Sequence, residues 1–170
     1  MNTYFFTREQ FVDRPVAGVF SFFADARNLE FITPPWLRFH ITTAGPIRME
    51  RGARVDYRIR LRGVPVRWTS EILEWSPPYR FVDVQVRGPY RLWEHTHEFF
   101  EVAGGTLVRD EVRYALPMGR LGEIAVRRFV AKDVARIFEY RRDALASRLA
   151  RDARPLTTAP HEPPLRSRRP

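Results

Sequence analysis

Residues 92–114, LWEHTHEFFEVAGGTLVRDEVRY, decide the fold because they contain two strands and the turn between them. On both sides of Gly104-Gly105, side chains that suit a protein interior alternate with charged ones. This alternation is typical of antiparallel strands with one buried face. A Gly-Gly pair favours a two-residue hairpin turn because that turn requires positive φ angles. We therefore predict a β-hairpin with Gly104 and Gly105 at its turn.

The predicted turn fixes which side chains share a face, because it pairs Ala103 with Thr106. Four cross-strand pairs are then expected on one face: Phe99 with Asp110, His97 with Val112, His95 with Tyr114, and Trp93 with Leu116. We expect this face to be the concave one. The other face is expected to be charged and to carry Glu94, Thr96, Glu98, Arg109, Glu111 and Arg113.

Periodicity predicts the remaining elements. One strand is followed by a helix that begins near Pro15 and by a second short helix. The expected strands cover residues 3–12, 36–44, 53–63, 64–75, 80–88, 90–102 and 106–116. A long helix is expected after Pro117 and Gly119, to about Ala150, with a buried stripe formed by Val130, Val134, Ile137, Phe138, Leu145 and Leu149.

Composition divides the chain into two parts. Residues 1–150 are periodic and rich in aromatic residues, so we expect one folded domain there. Residues 151–170 contain five prolines and no aromatic residue. Such a segment buries too little apolar surface to offset its ordering entropy, and it predicts a disordered Pro/Arg-rich tail.

Several classes of protein are excluded by composition. The chain has no cysteine, which excludes disulfides and thiolate catalysis. It has no apolar run of about 18 residues, so we expect no integral membrane association. The stretch MNTYFFTREQF lacks the pattern of a signal peptide, so we expect a cytoplasmic protein. The net charge is +9, yet Lys132 is the single lysine and the arginines are spread among acidic residues, so we expect no nucleic-acid partner.

The element order resembles the helix-grip fold of the START-like superfamily (SRPBCC), which includes the polyketide cyclase/dehydrase and coenzyme-Q-binding families. The resemblance covers about residues 3–150. It rests on the order of elements, on GPYRLWEHTHEF before a Gly-Gly hairpin and DEVRY, and on LPMGRLG at the start of the last helix. It implies an α+β fold in which a curved antiparallel sheet of about seven strands wraps a long C-terminal helix. It also implies a cavity for an apolar or amphipathic small molecule.

The inward-facing polar residues suggest two kinds of chemistry. His97 and Asp110 could form a general base with its orienting carboxylate, and Tyr114 could donate a proton. No nucleophile lies beside them in the predicted strands. His95 and His97 could ligate a metal with Asp110, but no further histidine is clearly placed, so we expect neither a metal nor an organic cofactor.

The predicted function is therefore binding of a small hydrophobic ligand, such as a lipid, polyketide or isoprenoid-like molecule. Eight residues are predicted to contact it: Trp36, Trp68, Trp93, His95, His97, Phe99, Asp110 and Tyr114. One alternative is a cyclase, dehydratase or hydrolase that uses the polar group, and another is a module that binds proteins or the ribosome. The pattern leaves the facing of Asp83 and Gln85 open, and Arg141 is most simply interpreted as solvated.

Overall fold

The computed structural model describes residues 2–117 and 120–151, with side chains from 2–117 and 128–149. It contains seven strands and three helices: β1 (Tyr4–Val12), α1 (Val16–Phe23), α2 (Asn28–Ile32), β2 (His40–Ile41), β3 (Arg54–Leu61), β4 (Val64–Ser76), β5 (Arg80–Arg87), β6 (Leu92–Val102), β7 (Gly105–Ala115) and α3 (Arg120–Arg151). A 3-10 turn, Pro35–Leu37, precedes β2. The α+β architecture of seven strands, short helices after β1 and a long last helix is confirmed.

All seven strands form one antiparallel sheet in the order β1-β7-β6-β5-β4-β3-β2. Every neighbour pair except β1–β7 is consecutive in the chain, and β1 closes the sheet by pairing with β7. α3 packs on one face of this sheet and is joined to β1 at the side-chain amide of Gln10, which donates to the Arg142 carbonyl at 2.9 Å. The sheet and α3 therefore enclose the interior between them.

The predicted register of the β6–β7 hairpin is wrong by two residues. Val102 pairs with Gly105, so the turn is Ala103-Gly104 and Gly105 already belongs to β7. His97 consequently lies opposite Asp110, Phe99 opposite Val108, His95 opposite Val112, and Trp93 opposite Tyr114. A shift of two residues keeps every side chain on its original face. The predicted inward set is therefore retained, with new partners.

Gly105 explains the shift. A Cβ atom at this position would overlap the carbonyl oxygen of Val12 and lie 3.1 Å from the Cα of Asp13. Glycine is required here because the end of β1 lies against the start of β7. Only Gly104 has the positive φ, +81°, that the turn itself needs. Gly104 therefore serves the turn and Gly105 the close contact between β1 and β7. The sequence alone predicted that both were turn residues.

The strand predicted at residues 36–44 is mostly wrong. Only His40 and Ile41 pair with β3, and the preceding residues form the 3-10 turn. Pro34 and Pro35 favour the turn, because the fixed φ of proline suits the first positions of a helical turn. The turn places Leu37 in the interior and leaves Trp36 42% exposed.

Two apolar clusters form the core. The larger one joins α1 to the sheet and to the end of α3, through Phe20, Phe23, Phe81, Phe99 and Leu145. The smaller one joins the other end of the hairpin to α3, through Val112, Tyr114, Leu116, Val134 and Phe138. Four residues of the stripe predicted on α3 are buried, Val134, Phe138, Leu145 and Leu149, and Val130 is partly buried.

The convex face of the hairpin is charged, as predicted. Arg113 donates to Glu94 at 3.0 Å and Arg109 lies near Glu98, each from the directly opposite strand position. No helix among the described residues is long and apolar enough to cross a membrane. The tail predicted after residue 150 lies almost wholly outside the described residues and stays a prediction.

Gly105→Ala should destabilise the fold, because the added methyl group must displace the Val12 backbone. We expect the free energy of unfolding to fall by about 1–3 kcal/mol, the usual cost of overpacking a well-packed site. Gly18→Ala is the matched control: its Cβ meets open space within α1, and we expect no loss and up to about 1 kcal/mol of gain. Urea denaturation measures both. Equal stability of the two variants would contradict the close β1–β7 contact.

Candidate functional site

Two histidines and two aspartates form a compact polar cluster on the concave face. His95 and His97 project from β6, Asp110 from β7 and Asp83 from β5. Asp83 lies opposite His95 and Asp110 lies opposite His97, so cross-strand pairing brings all four together. His95, His97 and Asp110 are buried, and the Asp83 side chain is 18% exposed.

Each imidazole lies between the two carboxylates. His95 Nε2 is 2.9 Å from Asp110 Oδ1, and His97 Nε2 is 3.1 Å from Asp83 Oδ2. The second nitrogen of each ring is also close to a carboxylate: His97 Nδ1 is 2.9 Å from Asp110 Oδ1, and His95 Nδ1 is 3.8 Å from Asp83 Oδ2. The His97 Nδ1 contact is not aligned as a hydrogen bond, so this buried nitrogen has no hydrogen-bond partner among the described residues.

A hydroxyl network extends the cluster toward β3 and β4. Ser70 Oγ donates to Asp83 Oδ1 at 3.4 Å. The same oxygen accepts the indole N–H of Trp68 at 3.2 Å, and the Tyr57 hydroxyl lies 3.2 Å from it. Buried polar groups require such partners to offset their lost hydration. The network therefore holds Asp83 in one orientation.

Burial and mutual contacts set the charges in the cluster. Burial raises the pKa of Asp110, but the contacts with His95 and His97 outweigh burial and hold it well below its usual range. The same balance, with His97 as the main hydrogen-bonding partner and Arg141 as a nearby positive charge, lowers the pKa of Asp83. Burial and the charge of His97 lower the pKa of His95 to about 4. Both aspartates are thus ionised at neutral pH, and His95 is neutral.

Arg141 faces the interior, which corrects the prediction that it is solvated. Its guanidinium lies 5.7 Å from the ring centre of Phe23 and 5.8 Å from that of Phe138. Its Nη2 is buried and has no hydrogen-bond partner among the described residues. The guanidinium of Arg141 therefore lines the same cavity as the cluster and can still donate a hydrogen bond.

A cavity of about 170 Å³ lies between the sheet, α2 and α3, next to the cluster. Most of its lining is apolar and aromatic, including Phe23, Leu37, Ile59, Trp68, Trp93 and Phe138. Its polar lining includes Tyr57, Ser70, Asp83, His95, His97 and Arg141. An apolar chamber with polar groups at one place can hold a small amphipathic molecule and orient it.

The eight residues predicted to contact a ligand occupy three different locations in the structure. Trp68, Trp93, His95 and His97 line the cavity. Phe99, Asp110 and Tyr114 are buried on the same face of the sheet but do not line the cavity, and they lie beside the lining residues. Trp36 lies outside, where its ring packs edge-on against Tyr140 of α3 at 5.5 Å.

The predicted catalytic group is not brought together as a unit. His97 and Asp110 are adjacent, but Tyr114 lies four residues farther along β7, about 13 Å along a strand. Its ring packs among Tyr4, Tyr90 and Trp93. On β7 the position opposite His95, expected for Tyr114, holds Val112. The polar residue that contacts both histidines besides Asp110 is Asp83 of β5.

Sequence reasoning missed the hydroxyl groups of Tyr57 and Ser70 and two charged residues of the site. Signals were present in the sequence for the two charged residues. Arg141 follows Phe138 by three residues and precedes Leu145 by four, so it lies on the apolar stripe of α3. The facing of Asp83 depends on the β5–β6 register. Arg80 and Glu98, which form an ion pair at 2.8 Å, mark that register. Placing Arg80 opposite Glu98 puts Asp83 opposite His95.

The lowered pKa of His95 predicts that acid destabilises the protein above pH 4. Between about pH 6.5 and pH 4 the unfolded chain gains a proton at this histidine that the folded protein does not take up. Stability is therefore lost as the pH falls through this window, by about 3 kcal/mol in total. Urea denaturation at several pH values, with EDTA present, measures the slope.

His95→Gln should flatten this slope, whereas His40→Gln should keep it because His40 is exposed. If the wild-type protein instead became more stable as the pH fell from about 6.5 to about 5, His95 would be charged in the folded state and the assignment would be wrong.

Solved structures similar to this chain share its fold. The Zhui aromatase/cyclase from Streptomyces sp. R1128 aligns with a TM-score of 0.74 and 16% identity over 93% of this chain and 100% of that one. TTHA0849 from Thermus thermophilus aligns with a TM-score of 0.68 and 22% identity over 89% of this chain and 100% of that one. Ms6760 from Mycobacterium smegmatis aligns with a TM-score of 0.63 and 19% identity over 87% of this chain and 92% of that one.

No curated protein sequence matches this chain. One family profile does, and its description is polyketide cyclase / dehydrase and lipid transport. The match covers residues 5–150, which include nearly all of the sheet and of α3. These residues also include every member of the polar cluster and of the cavity lining. The chain belongs to the polyketide cyclase/dehydrase and lipid transport family.

Proposed function

We propose that this protein binds an apolar or aromatic small molecule in the cavity between the sheet and α3. The observation that carries the proposal is the lining of this cavity. Its wall is mainly apolar and aromatic, and its polar lining includes Asp83, His95, His97 and Arg141. Family membership agrees with a lipid-like or polyketide-like ligand. The positions of the apolar and charged lining residues suggest which end of such a ligand each would contact.

The aromatic wall would contact the body of the ligand. Trp93 packs edge-on against Trp68 at 5.5 Å, and Trp68 stacks on Tyr57 at 5.9 Å. These rings offer broad apolar faces held in place by one another, so little conformational entropy is lost when a ligand binds. A flat or elongated hydrocarbon suits this surface better than a compact polar molecule.

The polar cluster would contact one end of the ligand. Arg141 Nη2 lacks a hydrogen-bond partner among the described residues, and a carbonyl, hydroxyl or carboxylate oxygen of the ligand would accept its N–H. His97 and Asp83 line the same region. The bound molecule is therefore expected to be amphipathic, with one oxygen-bearing end.

Trp93→Ala should weaken binding of the fluorescent apolar probe N-phenyl-1-naphthylamine by about 2 kcal/mol, the scale of a lost aromatic contact. Trp36→Ala is the matched control, because Trp36 is 42% exposed and lies outside the cavity. Fluorescence titration gives both affinities, and thermal melting verifies that both variants fold. Equal weakening by the two substitutions, or by neither, would contradict binding in this cavity.

A second candidate function is catalysis by the polar cluster. The observation that favours it is His97, which lines the cavity and lies within 3.1 Å of one carboxylate and 2.9 Å of another. An imidazole oriented in this way could act as a general base in a cyclisation or dehydration. In that case His97→Gln should abolish turnover of a ligand that the variant still binds. A ligand bound by both proteins and altered by neither would leave binding as the function.

A further inference from the structure

The polar cluster has more close nitrogen–oxygen contacts than its protons can satisfy. Four contacts join the two imidazoles to the two carboxylates, at 2.9, 2.9, 3.1 and 3.8 Å. A neutral imidazole carries one N–H group and one nitrogen lone pair, so two neutral imidazoles would supply only two N–H groups for these four contacts. In that state at least two contacts bring a nitrogen lone pair toward a carboxylate oxygen. Such a contact is favourable when a cation lies between the two atoms.

The two aspartates differ in which nitrogens they face. Asp110 Oδ1 lies against Nε2 of His95 and Nδ1 of His97. Asp83 Oδ2 lies against the opposite pair, Nδ1 of His95 and Nε2 of His97. If both protons are on the Asp110 side, the two remaining lone pairs converge with a carboxylate oxygen of Asp83. Two imidazole nitrogens and one carboxylate oxygen form a common metal-ligand set.

We propose that Asp83, His95 and His97 bind a divalent transition metal of the Zn²⁺ class. Ligand atoms on a tetrahedral zinc ion are separated by about 3.4 Å, given bond lengths of about 2.0–2.1 Å. The separations from Asp83 Oδ2, 3.1 Å to His97 Nε2 and 3.8 Å to His95 Nδ1, lie on either side of this value. One ligand atom from each of the three side chains lies within 4.8 Å of the others.

Asp110 completes the site from outside. Histidines that bind metals usually donate their second N–H to a carboxylate, which fixes the tautomer and the ring orientation. Asp110 Oδ1 already forms this hydrogen bond with Nε2 of His95. It also lies 2.9 Å from Nδ1 of His97, where a reorientation of the imidazole on metal binding would align a second one, and Asp110 is 9% exposed. Ser70 orients Asp83 in a similar way. The sequence suggested Asp110 as a third ligand, and the geometry assigns that role to Asp83.

The coordination positions left open face the cavity. Asp83, His95 and His97 all contribute to the cavity lining, whereas Asp110 does not. Asp83, Asp110 and Arg141 together carry one net negative charge, so a divalent ion leaves the site with one net positive charge. An oxygen of a bound ligand, or a water molecule, would complete the coordination. The metal site requires no organic ligand and can be tested independently of the proposed function.

Isothermal titration of untagged, chelator-stripped full-length protein with Zn²⁺ tests the site. We expect one Zn²⁺ per chain and no binding of Mg²⁺, because imidazole nitrogens suit zinc and not magnesium. Asp83→Asn and His97→Gln should each lower the Zn²⁺ affinity at least about tenfold, and Asp110→Asn about 10–100-fold. His40→Gln, an exposed histidine next to Glu30, is the matched control and should leave the affinity unchanged.

A measurement on the wild-type protein covers variants that fail to fold. Long-range ¹H–¹⁵N spectra of the imidazoles should show Zn²⁺-dependent shifts at Nδ1 of His95 and Nε2 of His97. Absence of Zn²⁺ binding up to millimolar concentration would overturn the proposal. Binding that is lost in His40→Gln but kept in Asp83→Asn would also overturn it, because the ion would then occupy a surface site.

Discussion

The concave face depends on one constraint: the polar cluster of Asp83, His95, His97 and Asp110 is buried between the two apolar clusters. Charges removed from water need partners, and here the four groups are one another's partners. Their contacts need β5, β6 and β7 in one register, since a shift of one residue would turn each side chain to the opposite face. The polar cluster therefore contributes to the register at the centre of the sheet.

The aromatic residues packed around the polar cluster strengthen its charge–charge contacts. Phe81 stacks on the His97 ring at 4.0 Å, and Phe138 packs edge-on against His95 at 5.4 Å. These rings exclude water from one side, which lowers the effective dielectric and strengthens each charge–charge contact. On the other side the cluster opens to the cavity. A ligand oxygen or a metal ion entering there meets preorganised groups, which is the requirement for both proposals.

Arg141 links the cluster to the helix that closes the cavity. It occupies a position on the apolar stripe of α3, where its guanidinium lies near the rings of Phe23 and Phe138 and lines the cavity. A guanidinium near aromatic rings gains a cation–π attraction. The position of α3 therefore determines both the volume of the cavity and its electrostatic balance. A ligand that moved α3 would also change the environment of Asp83.

The sequence by itself determined the element order, the face of each hairpin residue and the buried stripe of α3, because these follow from the strand and helix periods. It did not determine the hairpin register, since Gly105 is a glycine because of the neighbouring Val12 carbonyl and not because of the turn. Nor did it determine the membership of the site. Which strands and which helix lie side by side decides that Asp83 and Arg141 belong to the site. The same arrangement separates Tyr114 from His97. Only the tertiary structure, through non-local register and packing, decides those distances.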